Sequence, residues 1–174
     1  MICPACKHRN IDGADDCEKC GQSLIAVELP AAKADVGWES TVVCEDLSQV
    51  MAVPPIAVSP TTTLQEVVDR LVAGGVGCVL VVSNDKLVGI FSERDLLLKI
   101  GDKFNELKSS PVRDYMTPDP ETLPPEATIA WALNRMDVGG FRHIPIVKEG
   151  HPLAMVSVRD LLQHLGKRYL AASA

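Results

Sequence analysis

An α/β (α+β) fold is predicted for this chain of 174 residues: two βαββα repeats packed as a pseudo-two-fold pair, preceded by a small four-cysteine module. Three observations predict it. Residues 51–97 recur as residues 116–162 with no gap, so that Met51, Pro60, Arg70, Gly74, Gly75, Ser92, Arg94 and Asp95 return as Met116, Pro125, Arg135, Gly139, Gly140, Ser157, Arg159 and Asp160. Within each copy the apolar pattern runs through helix and strand periods in the same order. Four cysteines fall into two Cys-x-x-Cys pairs at the start of the chain. The repeat is longer than a usual solenoid unit and occurs twice, which points to two units burying their apolar faces against each other.

Cys3-Pro4-Ala5-Cys6 and Cys17-Glu18-Lys19-Cys20 open the chain. Two thiolates separated by two residues wrap a tight turn and reach one tetrahedral ion, and two such turns close a four-sulfur site. Residues 10–16 between them can form a short hairpin, and Gly21 supplies backbone freedom after the second pair. A segment this short has almost no core, so the metal supplies its folding energy. Residues 1–24 resemble a zinc ribbon, with structural zinc held by Cys3, Cys6, Cys17 and Cys20. A redox dithiol or an iron centre would use the same residues. His8 reads as an exposed neighbour. Lys7, Arg9 and Lys19 face Asp12, Asp15, Asp16 and Glu18, so no basic patch forms, and a protein-docking or structural role is expected. Its core is expected to be separate from that of the repeats.

Residues 25–44 read as a linker, loose around Leu29–Asp35, with Trp38 as a packing anchor. Cys44 and Cys78 read as reduced, partly buried thiols. The first repeat is assigned to residues 45–107 and the second to 108–168. In the first, Ile56-Ala57-Val58 is extended. Thr63 caps a helix over 64–73, with Glu66 placed for a capping box, and Gly74-Gly75 ends it. Cys78–Val82 and Leu87–Phe91 are strands joined by the Asn84-Asp85 turn, and Ser92 with Asp95 opens a helix through 99. The second copy gives an extended piece at 121–123, a helix over 129–136, strands at 143–147 and 153–156, and a helix over 159–165.

This order, with Val88-Gly89-Ile90-Phe91-Ser92-Glu93-Arg94-Asp95 and Leu153-Ala154-Met155-Val156-Ser157-Val158-Arg159-Asp160, resembles the CBS domain, the module named after cystathionine β-synthase. Val112–Thr117 is similar to the lead-in that this family places between two halves of a pair. The resemblance covers about residues 45–168. It gives the predicted fold its name: two βαββα CBS repeats behind a four-cysteine zinc ribbon.

Mechanically, Ser92 stands where a strand gives way to a helix, so its hydroxyl and the free backbone N–H groups can meet a phosphate. Asp95 can accept from the 2′ and 3′ hydroxyls of a ribose. Ile90 offers an apolar wall on the same strand face, and Met155, Ser157 and Asp160 repeat the arrangement. The resemblance implies that Thr117, Thr122, Phe141 and Arg142 complete the Asp95 cleft, and that Ala57, Val76 and Gly77 complete the Asp160 cleft. Arg142 and His143 also have a path to the Asp160 cleft, and Arg94 and Arg159 are possible phosphate contacts. By this reading the Asp95 site is the stronger. Plain structural roles compete: N-caps for Ser92 and Ser157, macrodipole partners for Asp95 and Asp160, and a core histidine for His143. Arg142 could be a solvated charge, Phe141 a core residue, and Arg94 and Arg159 surface residues or intersubunit ion pairs.

Function classes narrow accordingly. Net charge is −6, from 17 basic and 23 acidic residues, which argues against nucleic acid or anionic membrane as partner. No run of 18 apolar residues suits a membrane span. The start Met1-Ile2-Cys3-Pro4 lacks a secretory pattern, and paired cysteines without one suggest the cytoplasm. Ser157, Asp160 and His143 hold the residue types of a hydrolase triad, but no G-x-S-x-G elbow surrounds either serine, so no catalysis is expected. The resemblance implies a regulatory module that binds an adenine nucleotide (AMP, ADP or ATP), with S-adenosyl compounds behind. It also implies a homodimer that signals to an unknown protein target. The alternatives are a scaffold that has lost ligand binding and a zinc-ribbon adaptor to protein or nucleic acid.

Overall fold

The computed structural model describes residues 2–3, 6–11, 14–22, 24, 45–50 and 54–172. The expected linker 25–44, with Trp38 and Cys44, lies outside them, as do Asp12 and Gly13 of the expected hairpin. Two compact units form. One gathers the described residues of Met1–Ala52, Leu123–His143 and Val156–Ala174, and the other those of Val53–Thr122 and Ile144–Met155.

The second unit holds a four-stranded sheet in the order β1-β2-β3-β4: Ala57–Val58, Cys78–Ser83, Lys86–Ser92 and Thr117–Pro118. β1 runs parallel to β2, while β3 is antiparallel to both β2 and β4. Asn84 and Asp85 make the β2–β3 turn with φ of 50° and 61°, the left-handed pair that a two-residue hairpin requires. Helix α1, Leu64–Gly74, begins at the expected capping box: Glu66 N donates to Thr63 Oγ1 at 3.3 Å and Thr63 N to Glu66 Oε2 at 3.1 Å. It buries Leu64, Val67 and Leu71 against Val58, Val79, Val81 and Phe91. Helix α2 is one turn, Glu93–Asp95, that widens into a π turn over Leu96–Ile100, where Gly101 N reaches back to Leu96 O. Sequence periodicity predicts an unbroken helix there. A short helix α3, Phe104–Leu107, follows.

In the first unit, helix α4, Ile129–Gly139, is capped by Thr128, whose hydroxyl accepts from Trp131 N at 3.1 Å. Helix α5, Val158–Ala172, runs past the expected end at 165. Strands β5, His143–Lys148, and β6, His151–Ser157, pair as a two-stranded sheet whose stretch Ile144–Met155 belongs to the second unit. The expected extended piece at 121–123 is not a named strand, and β4 lies earlier, at Thr117–Pro118.

The lead-in of each repeat joins the other repeat's first helix. Ile129 N donates to Glu45 O and Leu47 N to Ala127 O, while Leu64 N donates to Ser110 O and Val112 N to Thr62 O. Each lead-in carbonyl, Glu45 or Ser110, takes one of the N–H groups that a helix start leaves free.

Candidate functional site

Both repeats build the same strand-to-helix junction. Ser92 N and Oγ donate to Asp95 Oδ2 at 2.9 and 2.7 Å, and Asp95 N donates to Ser92 Oγ at 3.4 Å. The second repeat repeats these contacts at 2.8, 2.6 and 3.3 Å for Ser157 and Asp160. Each Ser–Asp pair is therefore a closed capping box, the plain role considered above. The junctions are also tethered alike. Glu93 N donates to Gly77 O at 3.0 Å and Val158 N to Arg142 O at 3.1 Å, so Gly77 and Arg142 each sit beside the helix start of their own repeat.

The surroundings differ. Asp95 is buried, and its Oδ1 faces Lys99 Nζ at 2.8 Å and accepts from Thr117 Oγ1 at 3.2 Å. Lys99 Nζ also donates to Tyr115 O at 2.8 Å and Met116 O at 3.2 Å, and lies 3.3 Å from Thr117 Oγ1. Burial alone would push the Asp95 carboxyl up. The Lys99 ammonium, together with the Ser92 hydroxyl and amide, outweighs it and holds that carboxyl below the usual carboxylate range. Cys78 lies in the same unit, and burial, reinforced by the Asp95 charge, pushes its thiol up to about 12. Such a thiol stays protonated, as expected for an inert buried cysteine.

Asp160 is half-buried, and its Oδ1 has no hydrogen-bond partner among the described residues. The residue matching Lys99 is His164, whose Nε2 lies 2.7 Å from Glu45 Oε2 instead, beside Arg168 Nη2 at 2.7 Å from Glu45 Oε1.

The other candidates take these places. Ile90 is half-buried on β3 two residues before Ser92, and Met155 matches it on β6 before Ser157. Thr117 is brought to Asp95, and Thr122 is exposed beyond β4. Ala57, Val76 and Gly77 belong to the unit of Asp95; Phe141, Arg142 and His143 belong to the unit of Asp160. Phe141 lies over Gly139, where an added Cβ would collide with its ring. Arg142 is exposed, as are Arg94 and Arg159, and His143 is half-buried. Sequence reading passes over Lys99. Its four-residue spacing from Asp95 is the one signal available, and that spacing usually marks an ordinary surface ion pair.

At the N-terminus, Cys3, Cys6, Cys17 and Cys20 are buried with their sulfurs all within 4.8 Å of one another. Cys3 Sγ and Cys20 Sγ are 3.7 Å apart, and Cys6 Sγ and Cys17 Sγ 3.5 Å. A tetrahedral ion with bonds of about 2.3 Å sets its sulfurs about 3.8 Å apart, so the four residues could hold one metal ion. Burial pushes the Cys6 and Cys20 thiols up. At Cys17 the backbone N–H groups of Cys20 and Lys19 overcome burial and bring the thiol down to about 6. Gly21 adopts φ +69°, the left-handed conformation its position suggested.

The cluster is seated on the second repeat. Leu24 and the cysteines pack against Ala130 and Trp131 of α4. Lys19 Nζ stands 4.9 Å over the Trp131 ring, and Asn134 Nδ2 donates to Gln22 Oε1 at 3.1 Å. Trp131 occupies the position that Glu66 holds in the first repeat. Where Glu66 closes a capping box, Trp131 gives the cysteine module an apolar seat.

Comparison with known proteins places these features. The CBS domain profile matches residues 47–102 and 112–167. An uncharacterised 17.7 kDa protein of Acidianus ambivalens is 33% identical over 121 residues, covering 68% of this chain and 72% of that protein. A CBS domain-containing protein of Arabidopsis thaliana is 31% identical over 127 residues, which is 72% of this chain but only 22% of the relative's length. Among solved structures, a CBS domain protein from Pyrobaculum aerophilum complexed with AMP matches with TM-score 0.61 at 23% identity, covering 71% of this chain and 99% of that one. A CBS domain pair in complex with methylthioadenosine and S-adenosyl-L-methionine matches with TM-score 0.63 at 17% identity, covering 72% and 98%. Among the described residues no helix is long and apolar enough to cross a membrane.

Proposed function

The chain belongs to the CBS domain family, and from that premise we propose that it is a non-catalytic regulatory module that binds an adenine nucleotide and passes the signal to a protein partner. The observation that carries this reading is the duplicated junction. Two strands each end in a serine at a helix start, with an aspartate one turn on, at matching distances. That geometry sets an acidic acceptor for a ribose diol at a helix start. Structures of the same fold have been solved with AMP and with S-adenosyl-L-methionine, which supports an adenosine-bearing ligand. Arg142 is the candidate phosphate contact in the unit of Asp160.

Calorimetric titration of the full chain with AMP, ADP, ATP and S-adenosylmethionine tests the reading. Saturable binding of at least one of the four is expected. Absence of heat from all four at millimolar ligand would favour a scaffold that keeps the fold without the ligand.

The four-cysteine cluster is assigned to structural zinc. Four thiolates leave such an ion no open position for chemistry, so its work is to hold the cysteine module in shape on α4. Elemental analysis of protein purified without added metal should find one zinc per chain.

A homodimer completes the proposal. Leu97 and Leu98 are 73% and 79% exposed in one unit and Leu162 is 60% exposed in the other, and two-fold association is the common way to cover such residues. Light scattering at tens of micromolar should give twice the chain mass.

A further inference from the structure

We propose that Lys99 closes the first repeat's Asp95 to ribose, so that the chain carries one nucleotide, held at Asp160. This inference rests on the nucleotide reading above and reverses the ranking of the two sites expected from sequence.

A carboxylate offers about four acceptor positions. At Asp95 all are taken: Oδ2 by the Ser92 amide and hydroxyl, Oδ1 by Thr117 Oγ1 and Lys99 Nζ. A ribose diol brings two neutral donors and needs two of those positions. To enter, it must displace an ammonium at 2.8 Å, and a neutral hydroxyl does not replace a charge-assisted hydrogen bond. Lys99 is also not a loose arm. Its remaining donors are spent on the carbonyls of Tyr115 and Met116 at 2.8 and 3.2 Å, so withdrawing it breaks a network rather than one contact.

The second repeat lacks this device. Asp160 Oδ2 is engaged as in the first repeat, but Oδ1 has no partner among the described residues. The matching side chain, His164, is committed to Glu45 at 2.7 Å. The backbone differs too: Lys99 lies within the π turn Leu96–Ile100, whereas the matching stretch belongs to the helix Val158–Ala172. Single π turns occur often at functional sites.

The test is AMP titration of the full chain in four forms. The unaltered protein should bind one AMP per chain. Asp160→Asn should weaken that site at least tenfold. Lys99→Met should gain a second site, and Lys99→Arg, which restores a cation to Asp95, should stay at one. If Lys99→Met loses its cooperative thermal transition, Lys99→Gln takes its place. Two sites in the unaltered protein, full-strength binding after Asp160→Asn, or a folded Lys99→Met that still binds one AMP would each overturn the assignment to Lys99 while leaving the nucleotide reading standing. No binding by any form, with AMP or the other three nucleotides, would overturn the nucleotide reading and this inference together.

Discussion

Set side by side, the two repeats agree at the Ser–Asp junction and part at the residues around it. The Ser92–Asp95 and Ser157–Asp160 contacts differ by about 0.1 Å from one repeat to the other. At two matching positions they diverge. Lys99 grips Asp95, whereas His164 turns to Glu45. Glu66 closes a capping box, whereas Trp131 seats the cysteine module. A duplicated scaffold can thus keep one geometry twice and still give each copy its own occupant.

The largest effect expected is on the cysteine module. Structural zinc supplies on the order of 10 kcal/mol to a segment this small, so Cys17→Ser or chelation should open residues 2–24. Because Ala130 and Trp131 lose their cover, hydrogen exchange should rise in α4 well above any rise in α1. Equal loosening of the two helices would erase the distinction drawn between them.

Next comes the ligand. Losing a charged acceptor costs about 1.5–3 kcal/mol, roughly ten- to hundred-fold in affinity. Asp160→Ala should weaken AMP by that factor in calorimetry. Arg142→Ala should weaken ATP more than AMP, because its guanidinium is the candidate phosphate contact; equal losses would move the phosphates elsewhere.

A smaller effect is the pH response of the sealed junction. The folded Asp95 carboxyl lies below its ordinary value of 3.8, since Lys99 and Ser92 overcome the effect of burial. A group depressed in this way stabilises the fold above pH 3.8, and that contribution is lost as pH falls through its lower folded value. Lys99→Met should shift the loss to higher pH, read by carboxyl NMR of Asp95. With Lys99 about 40% exposed, the pair itself adds no more than about 1 kcal/mol at neutral pH.

The smallest contrast lies at the helix caps. Thr63→Ala and Thr128→Ala should each cost about 1 kcal/mol in urea unfolding. Glu66→Ala should add a further penalty with no counterpart at Trp131, whose side chain serves another purpose.

The repeat, the capping residues and the paired cysteines were legible because each is a local pattern with a local cause. Thr63 and Glu66 form their box within one turn, and Asn84-Asp85 turns a hairpin from adjacent residues. Thr117 beside Asp95 was legible through family resemblance, since the contact spans 22 residues. Two features were not readable. Lys99 sits in a π turn, and nothing in Leu96–Ile100 announces the extra residue in that turn. Trp131 looks like a core residue of an amphipathic helix. Its partners, Lys19 and the cysteine module, are more than 100 positions away, and no periodicity reports a contact of that range.

Trp131 also turns the docked module into an optical gauge. An indole covered by apolar neighbours emits at shorter wavelength than one in water, and Lys19 over its ring adds a nearby charge. The sequence holds two tryptophans, so replacing Trp38 with phenylalanine would leave Trp131 as the sole indole. Its colour would then follow seating and release of the module in real time, without a label.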